Sequence, residues 1–379
     1  MMMSMKTDNR KWLATVFNAI VSRLGVSMPL ANSLVKKVII ITNFSLLITN
    51  FIACSTIDDD MSDCGFEVNY ELKLVTNIQT KLQTQLQTDL ELKTNMELTA
   101  ALRTHLESIF RDYADDVDLS FYDVAGDSVR LQHDQHDMNG KEESYTLNIP
   151  RRHYQHLATA NEKQEQNVDA YDSHLCHESR LSQNQLDTIP SHTAGLFTAR
   201  YDMDIKDSID QTFNVHLYMA NSATVLVVDT LGSGVRDMKV FATGFATGFH
   251  IADSTFIFAQ KAPIVRSERV QTPGQQYVCF TTVNFPSRDQ LVIPVGAPRR
   301  GSDDDDVVAG LWEYHLYITT RKGTVTRSIL RSYEPLNAEQ VRVVHIKLEE
   351  DGTPETVDAT MGVSVTLDWH EGGTYNPEL

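Results

Sequence analysis

The chain has 379 residues, a formal net charge of −18 and a 41% share of hydrophobic residues. That length exceeds one ordinary domain and points to two domains behind a targeting segment. An acidic balance of this size repels phosphate backbones and anionic headgroups, which argues against nucleic acid as a partner and against electrostatic docking on a membrane.

The N-terminal region is basic instead, with Lys6, Arg10, Lys11, Arg23, Lys36 and Lys37 against Asp8. Lys36-Lys37 precede VIIITNFSLLITNFIA, an apolar run broken by Thr, Asn and Ser. A transmembrane helix needs about 20 mostly apolar residues, so residues 1–53 read as a signal peptide rather than a span. Initiation at Met28 instead of Met1 would give a leader of ordinary length. Ile52-Ala53-Cys54 resembles the lipobox of bacterial lipoproteins, with Phe51 where Leu is usual. That resemblance implies diacylglyceryl transfer to the Cys54 thiol. Behind it, Asp58, Asp59 and Asp60 resemble the acidic export tag with which Bacteroidota lipoproteins reach the outer face of the outer membrane. Residues 54–65 also read as a tether extended by its own like charges. The other cysteines are Cys64, Cys176 and Cys279. With Cys54 acylated, three thiols cannot all pair, so they are read as buried or partly exposed, with a bridge from Cys64 as the alternative. His174-Leu175-Cys176-His177 has metal-ligand types but no second ligand pair, and no metal is assigned.

The body follows in chain order. Phe66, Val68, Tyr70, Leu72 and Leu74 alternate with Glu67, Asn69, Glu71 and Lys73, the period of a half-buried strand. Ile78, Leu82, Leu86 and Leu90 then recur at spacing four among Gln and Thr. A helical stripe and an extended strand-and-loop both fit there, with the helix preferred. Thr94 and Glu97 suit a capping box, and Leu98, Leu102, Leu106, Ile109, Phe110 and Tyr113 form one apolar helix face, read as core packing. VDLSFYDVAGDSVRL reads as a hairpin turning at Ala125-Gly126-Asp127, and SYTLNIP and HYQHLATAN as further strands. His133, His136 and Asp137 fall in what reads as a hairpin loop; with 13 histidines in the chain, such a grouping carries little weight. Residues 161–195 are polar and read as a long loop. LFTARYDMDI closes a first domain (66–207), and SIDQTFNVHLYMANSATVLVVD opens a second (208–379). Short Val-, Thr- and aromatic-rich runs then recur between Gly, Pro and Asp turns down to GVSVTLDWH, the pattern of an antiparallel sandwich. Asp303 to Asp306 form an acidic loop, read as solvated rather than as a Ca²⁺ site.

Cys54-x-x-x-Asp58-Asp59-Asp60-Met61-Ser62-Asp63-Cys64, with a strand directly after it, is similar to the start of the fimbrillin-associated anchor lipoproteins of Bacteroidales. FRDYADDVDLSFYDVAGDSV resembles that family's helix-to-strand segment, and VSVTLDWHEGGTYNPEL its terminal strand and tail. The departures are the long 77–93 stretch and Gly65, where Pro is usual. The resemblance implies a mainly β fold of two tandem transthyretin-like antiparallel β-sandwich domains, with a crossover helix in the first. It further implies an outer-membrane lipoprotein facing the exterior, which anchors a fimbria and assists its assembly or length control. Its partners would be fimbrial shaft or accessory subunits joined by strand addition, with no cofactor.

Catalytic signatures such as G-x-S-x-G, H-E-x-x-H, the P-loop and G-x-G-x-x-G are absent from the sequence, so no enzyme activity is expected. Two alternatives stand beside the anchor: a tip or accessory adhesin of the same fold, and a surface glycan-binding lipoprotein. The last needs exposed aromatic platforms, and outside the leader the tryptophans are Trp312 and Trp369, both in strand-like patterns.

Overall fold

Alternation sets the first strand, β1 (Gly65–Val75), with Val68, Tyr70, Leu72 and Leu74 turned inward. The computed structural model describes residues 65–368 except 94, 112–113, 127, 172, 207–210, 232–233, 275, 291–309 and 357–360. Cys54, Asp58, Asp59, Asp60, Cys64, Thr94, Tyr113, Asp303 to Asp306 and Trp369 lie outside the described residues.

Three helices follow: α1 (Ile78–Thr88), α2 (Leu90–Lys93) and α3 (Met96–Ile109). The helical reading of the Gln/Thr/Leu stretch is correct, and Ile78, Leu82 and Leu86 are its buried stripe. The α3 cap is Asn95, whose side chain accepts the Leu98 N–H at 2.9 Å. Next come β2 (Ala114–Asp123), β3 (Arg130–Met138), β4 (Glu142–Pro150), β5 (His153–Ala160), β6 (Val168–Tyr171), β7 (Arg180–Gln183), β8 (Thr188–Pro190), β9 (Phe197–Asp204) and β10 (Thr212–Met219). The second half holds β11 (Ser222–Asp229), β12 (Val235–Thr243), β13 (Gly248–His250), β14 (Thr255–Ile257), β15 (Ile264–Arg266), β16 (Glu268–Val270) and β17 (Tyr277–Asn284). It closes with β18 (Trp312–Thr320), β19 (Val325–Ser332), β20 (Val341–Leu348), β21 (Pro354–Thr356) and β22 (Met361–Asp368).

The first sheet runs β3-β2-β5-β9-β10-β1-β4. Strands β9 and β10 pair only at Tyr218↔Thr198 and Met219↔Phe197, so the sheet folds over at that corner into two facing layers. The Tyr70 hydroxyl on β1 meets His156 Nε2 on β5 across the gap, and His156 stacks on Phe121 at 4.3 Å. Full burial pushes His156 down to about 4, so it is a neutral core partner at physiological pH.

The second half packs β16-β17-β11-β20-β21 against β22-β19-β18-β12-β15-β8. Leu226, Val228, Phe280 and Ile346 share one apolar cluster with Val240, Leu316, Ile318 and Leu330, and the Tyr314 hydroxyl donates to Thr224 Oγ1 at 2.6 Å across the layers. Gly244 (φ +102°) lets the end of β12 lie against Trp312; a Cβ there would come within 2.6 Å of the Trp312 backbone.

The helices cover the outer face of the β11–β17–β20 layer. Val225, Val227, Cys279 and Val283 belong to the same apolar cluster as Leu82, Leu98 and Leu102. Polar contacts fasten the edges: His105 Nε2 to Thr281 Oγ1 at 2.8 Å, His345 Nδ1 to Asp89 Oδ2 at 2.9 Å, and Lys347 Nζ to Glu91 Oε1 at 2.7 Å. Helices from the first half thus dock on the second, and the described residues belong to one compact unit.

Four readings are corrected. Residues 161–195 are not a long loop: β6 and β7 join β13 and β14 in a small sheet, and β8 pairs with β15. Strand β10, given above to a second domain beginning at 208, pairs with β1 in the first sheet. The sandwich is not wholly antiparallel, because β1·β10, β11·β20 and β8·β15 are parallel. His133, His136 and Asp137 sit within β3, not in a hairpin loop.

Candidate functional site

Among the described residues, those singled out in the sequence do not converge. Cys54 and Asp58 to Asp60 are outside the described residues, and β1 begins at Gly65, directly after Cys64. His133 lies 3.2 Å from Asp118 and His136 lies 3.3 Å from Glu143, each facing a different strand. Cys176 and Cys279 are buried free thiols. Burial pushes them up to about 11 and about 12, which removes thiolate character at neutral pH. Trp312 is buried, its indole donating to the Glu334 carbonyl, and so offers no exposed platform.

The sheets leave several strand edges unpaired among the described residues. An open strand edge presents a row of N–H and C=O groups that another strand can complete. Most edges are guarded by charge: β3 carries Arg130, Asp134 and Asp137, and β4 carries Glu142, Glu143 and Pro150. The corner between β9 and β10 differs. From Thr212 to Leu217, β10 pairs with β1 on one side and with no described strand on the other. Its sequence there, TFNVHL, has no Asp, Glu, Lys, Arg or Pro. Strand β22, MGVSVTLD, is a second edge, paired with β19 along all eight residues and charged only at Asp368. Periodicity marks both segments as strands but carries no sign that either lies at an edge.

A second feature was missed in the sequence because its parts come from β2 and the β5–β6 connection. Asp116, Asp118 and Glu162 place one carboxylate oxygen each within 4.8 Å of one another. Gln135 Nε2 donates to Asp118 at 2.7 Å, Thr159 Oγ1 to Glu162 at 3.0 Å, and the Lys163 N–H to Asp116 at 3.1 Å. Burial, then the Asp118 hydrogen bond and charge, push Glu162 up to about 8. Burial alone would raise Asp118, but hydrogen bonds from Glu162 and Gln135 hold it below its ordinary value. The pair therefore shares one proton, with Glu162 the donor.

Because the folded value for Glu162 lies above the unfolded 4.5, its stabilising contribution is full below pH 4.5 and is lost as pH rises through about 8. Glu162→Gln keeps a donor for Asp118 without needing that proton. We expect the variant to gain on the wild type by about 1–2 kcal/mol between pH 5 and pH 8.5 in urea unfolding. A parallel pH dependence in both proteins would refute the shared proton.

Comparison with known proteins follows the geometry. No protein-family profile matches the chain, and no curated protein matches it. Solved structures are similar to it at low identity. A candidate adhesin from Bacteroides ovatus matches with TM-score 0.43 and 10% identity over 81% of this chain and 97% of its own. The fimbrial anchor protein Mfa2 of Porphyromonas gingivalis matches with TM-score 0.42 and 11% identity over 80% and 99%. The tip fimbrial protein Mfa3 of the same organism, C-terminally truncated, matches with TM-score 0.37 and 10% identity over 80% and 100%.

Proposed function

We propose that the chain is a non-catalytic fimbrial accessory lipoprotein, held in the outer membrane through acylated Cys54 and serving to anchor a fimbria at the cell surface. One observation carries this reading. The Cys54, Asp58-Asp59-Asp60 and Cys64 element runs straight into a strand at Gly65, the order found at the start of the anchor lipoproteins it resembles. We read the two halves as transthyretin-like sandwiches. A base subunit needs a lipid anchor below and a junction above. Each buried acyl CH₂ contributes about 0.8 kcal/mol, so several chains hold where one would not. The uncharged β10 edge suits a junction by strand addition, where main-chain hydrogen bonds supply affinity and alternate side chains supply register.

The test is a Cys54→Ala allele in the native host, with fatty-acid labelling and a comparison of filaments on cells and in the medium. We expect label to be lost and filaments to move from the cells to the medium. Filaments equally cell-bound in both strains would overturn the anchor reading.

A further inference from the structure

The outer faces of β9 and β10 meet the β13–β14 hairpin around a cleft of about 470 Å³. Its floor is rigid. Phe249 and Phe256, paired across the hairpin, hold their rings 4.7 Å apart within a third apolar cluster. Its wall is Tyr218, which leaves 54% of its surface exposed although its β10 neighbours Leu217 and Met219 are buried. On the facing strand, Arg200 and Asp202 point to the same side, two residues and so roughly 7 Å apart. Neither has an ion-pair or side-chain hydrogen-bond partner among the described residues. Ser254, in the left-handed region at φ +56°, closes the rim.

The chemistry of this lining selects a ligand class. One cation and one anion side by side cancel, so the cleft favours neither an anionic nor a cationic ligand, and the chain's acidic balance further disfavours anions. A guanidinium only donates hydrogen bonds and a carboxylate only accepts them, so together they match groups that do both. Hydroxyls are such groups. A half-exposed tyrosine ring supplies an apolar face with a polar edge, against which the C–H face of a sugar ring packs. The Phe249–Phe256 floor is packed before binding, which lowers the ordering cost of that part of the cleft.

We propose that this cleft binds a neutral carbohydrate, with a pyranose ring stacked on Tyr218 and its hydroxyls accepting from Arg200 and donating to Asp202. The platform is a tyrosine, which a count of tryptophans overlooks. The site does not involve Cys54 and stands independently of the anchor reading.

The experiment applies the full-length chain, in a zwitterionic detergent, to a printed array of neutral glucose, mannose and galactose oligosaccharides. Affinity for any glycan retained is then measured by calorimetry. We expect at least one neutral oligosaccharide to bind. Tyr218→Ala and Asp202→Asn should each weaken it by about tenfold or more, and Tyr218→Phe should largely preserve it. Tyr333→Ala, which removes another exposed tyrosine, should leave it unchanged, and unaltered melting temperatures should confirm folding. An empty array overturns the proposal. So does binding that survives Tyr218→Ala, or a cleft that captures an apolar peptide with which no sugar competes.

Discussion

Replacing Glu165 with alanine should cost about 3–5 kcal/mol of stability. Glu165 is 1% exposed, yet both of its carboxylate oxygens are fully used. Oε1 accepts the Asn167 N–H at 3.1 Å and Asn167 Nδ2 at 2.9 Å. Oε2 accepts the Thr193 N–H at 2.5 Å, the Thr193 hydroxyl at 3.2 Å and the Ala194 N–H at 3.3 Å. One carboxylate therefore pins both ends of the segment carrying β6, β7 and β8. Just beyond it, the Gly195 N–H donates to the Ile109 carbonyl, and Asn161 Nδ2 donates to the Gly195 carbonyl. Alanine removes the acceptor from all five of the Glu165 contacts and leaves the N–H of buried Ala194 without it. Glutamine keeps one acceptor oxygen and should lose only about half as much. Urea unfolding of the two variants provides the check; a loss below about 1 kcal/mol for Glu165→Ala would show that the segment is held by its strands alone.

The second large effect concerns Leu102 of α3, which is 0% exposed. Leu102→Ala should destabilise by about 2–5 kcal/mol, from lost burial plus the cavity left behind. The informative readout is where protection is lost. Leu102 shares its cluster with Val225, Val227 and Cys279 of β11 and β17, so native-state hydrogen exchange should quicken at those strand amides as well as in the helix. Faster exchange confined to α1 and α3 would mean that the helices do not couple the two halves.

Single elements were largely legible in the sequence. The alternation from Phe66 to Leu74 and the stripe from Leu98 to Ile109 report directly which side chains avoid water, because burial on one face imposes a period of 2.0 or 3.6. The hairpin from β2 to β3 announced itself through its turn residues. The sequence pointed to Thr94 and the cap is its neighbour Asn95, because both residue types cap well and only the Asn95 side-chain bond to the Leu98 N–H identifies it.

The candidate sites were less legible. Nothing local in TFNVHL distinguishes an open edge from a central strand, because its neighbours are decided elsewhere in the chain. The Asp118–Glu162 proton pair and the Tyr218 cleft each draw on segments well separated in sequence. Short strands such as Thr188–Pro190 and Gly248–His250 have too few residues to display a period, and only their distant partners make them strands.

By itself, then, the sequence determined the mainly β character, the acidic balance, and the faces that each long strand and helix must bury. Tertiary structure alone decided what those faces bury against. The α3 stripe found the second half's sheet, β10 joined β1 in parallel rather than opening a new domain, and the corner between β9 and β10 stayed open. The physical reason is that hydrophobic periodicity states a demand for burial, which any complementary face can meet. Strand pairing, by contrast, is made of backbone hydrogen bonds that every residue but proline offers alike, so the choice of partner falls to the packing of the whole chain.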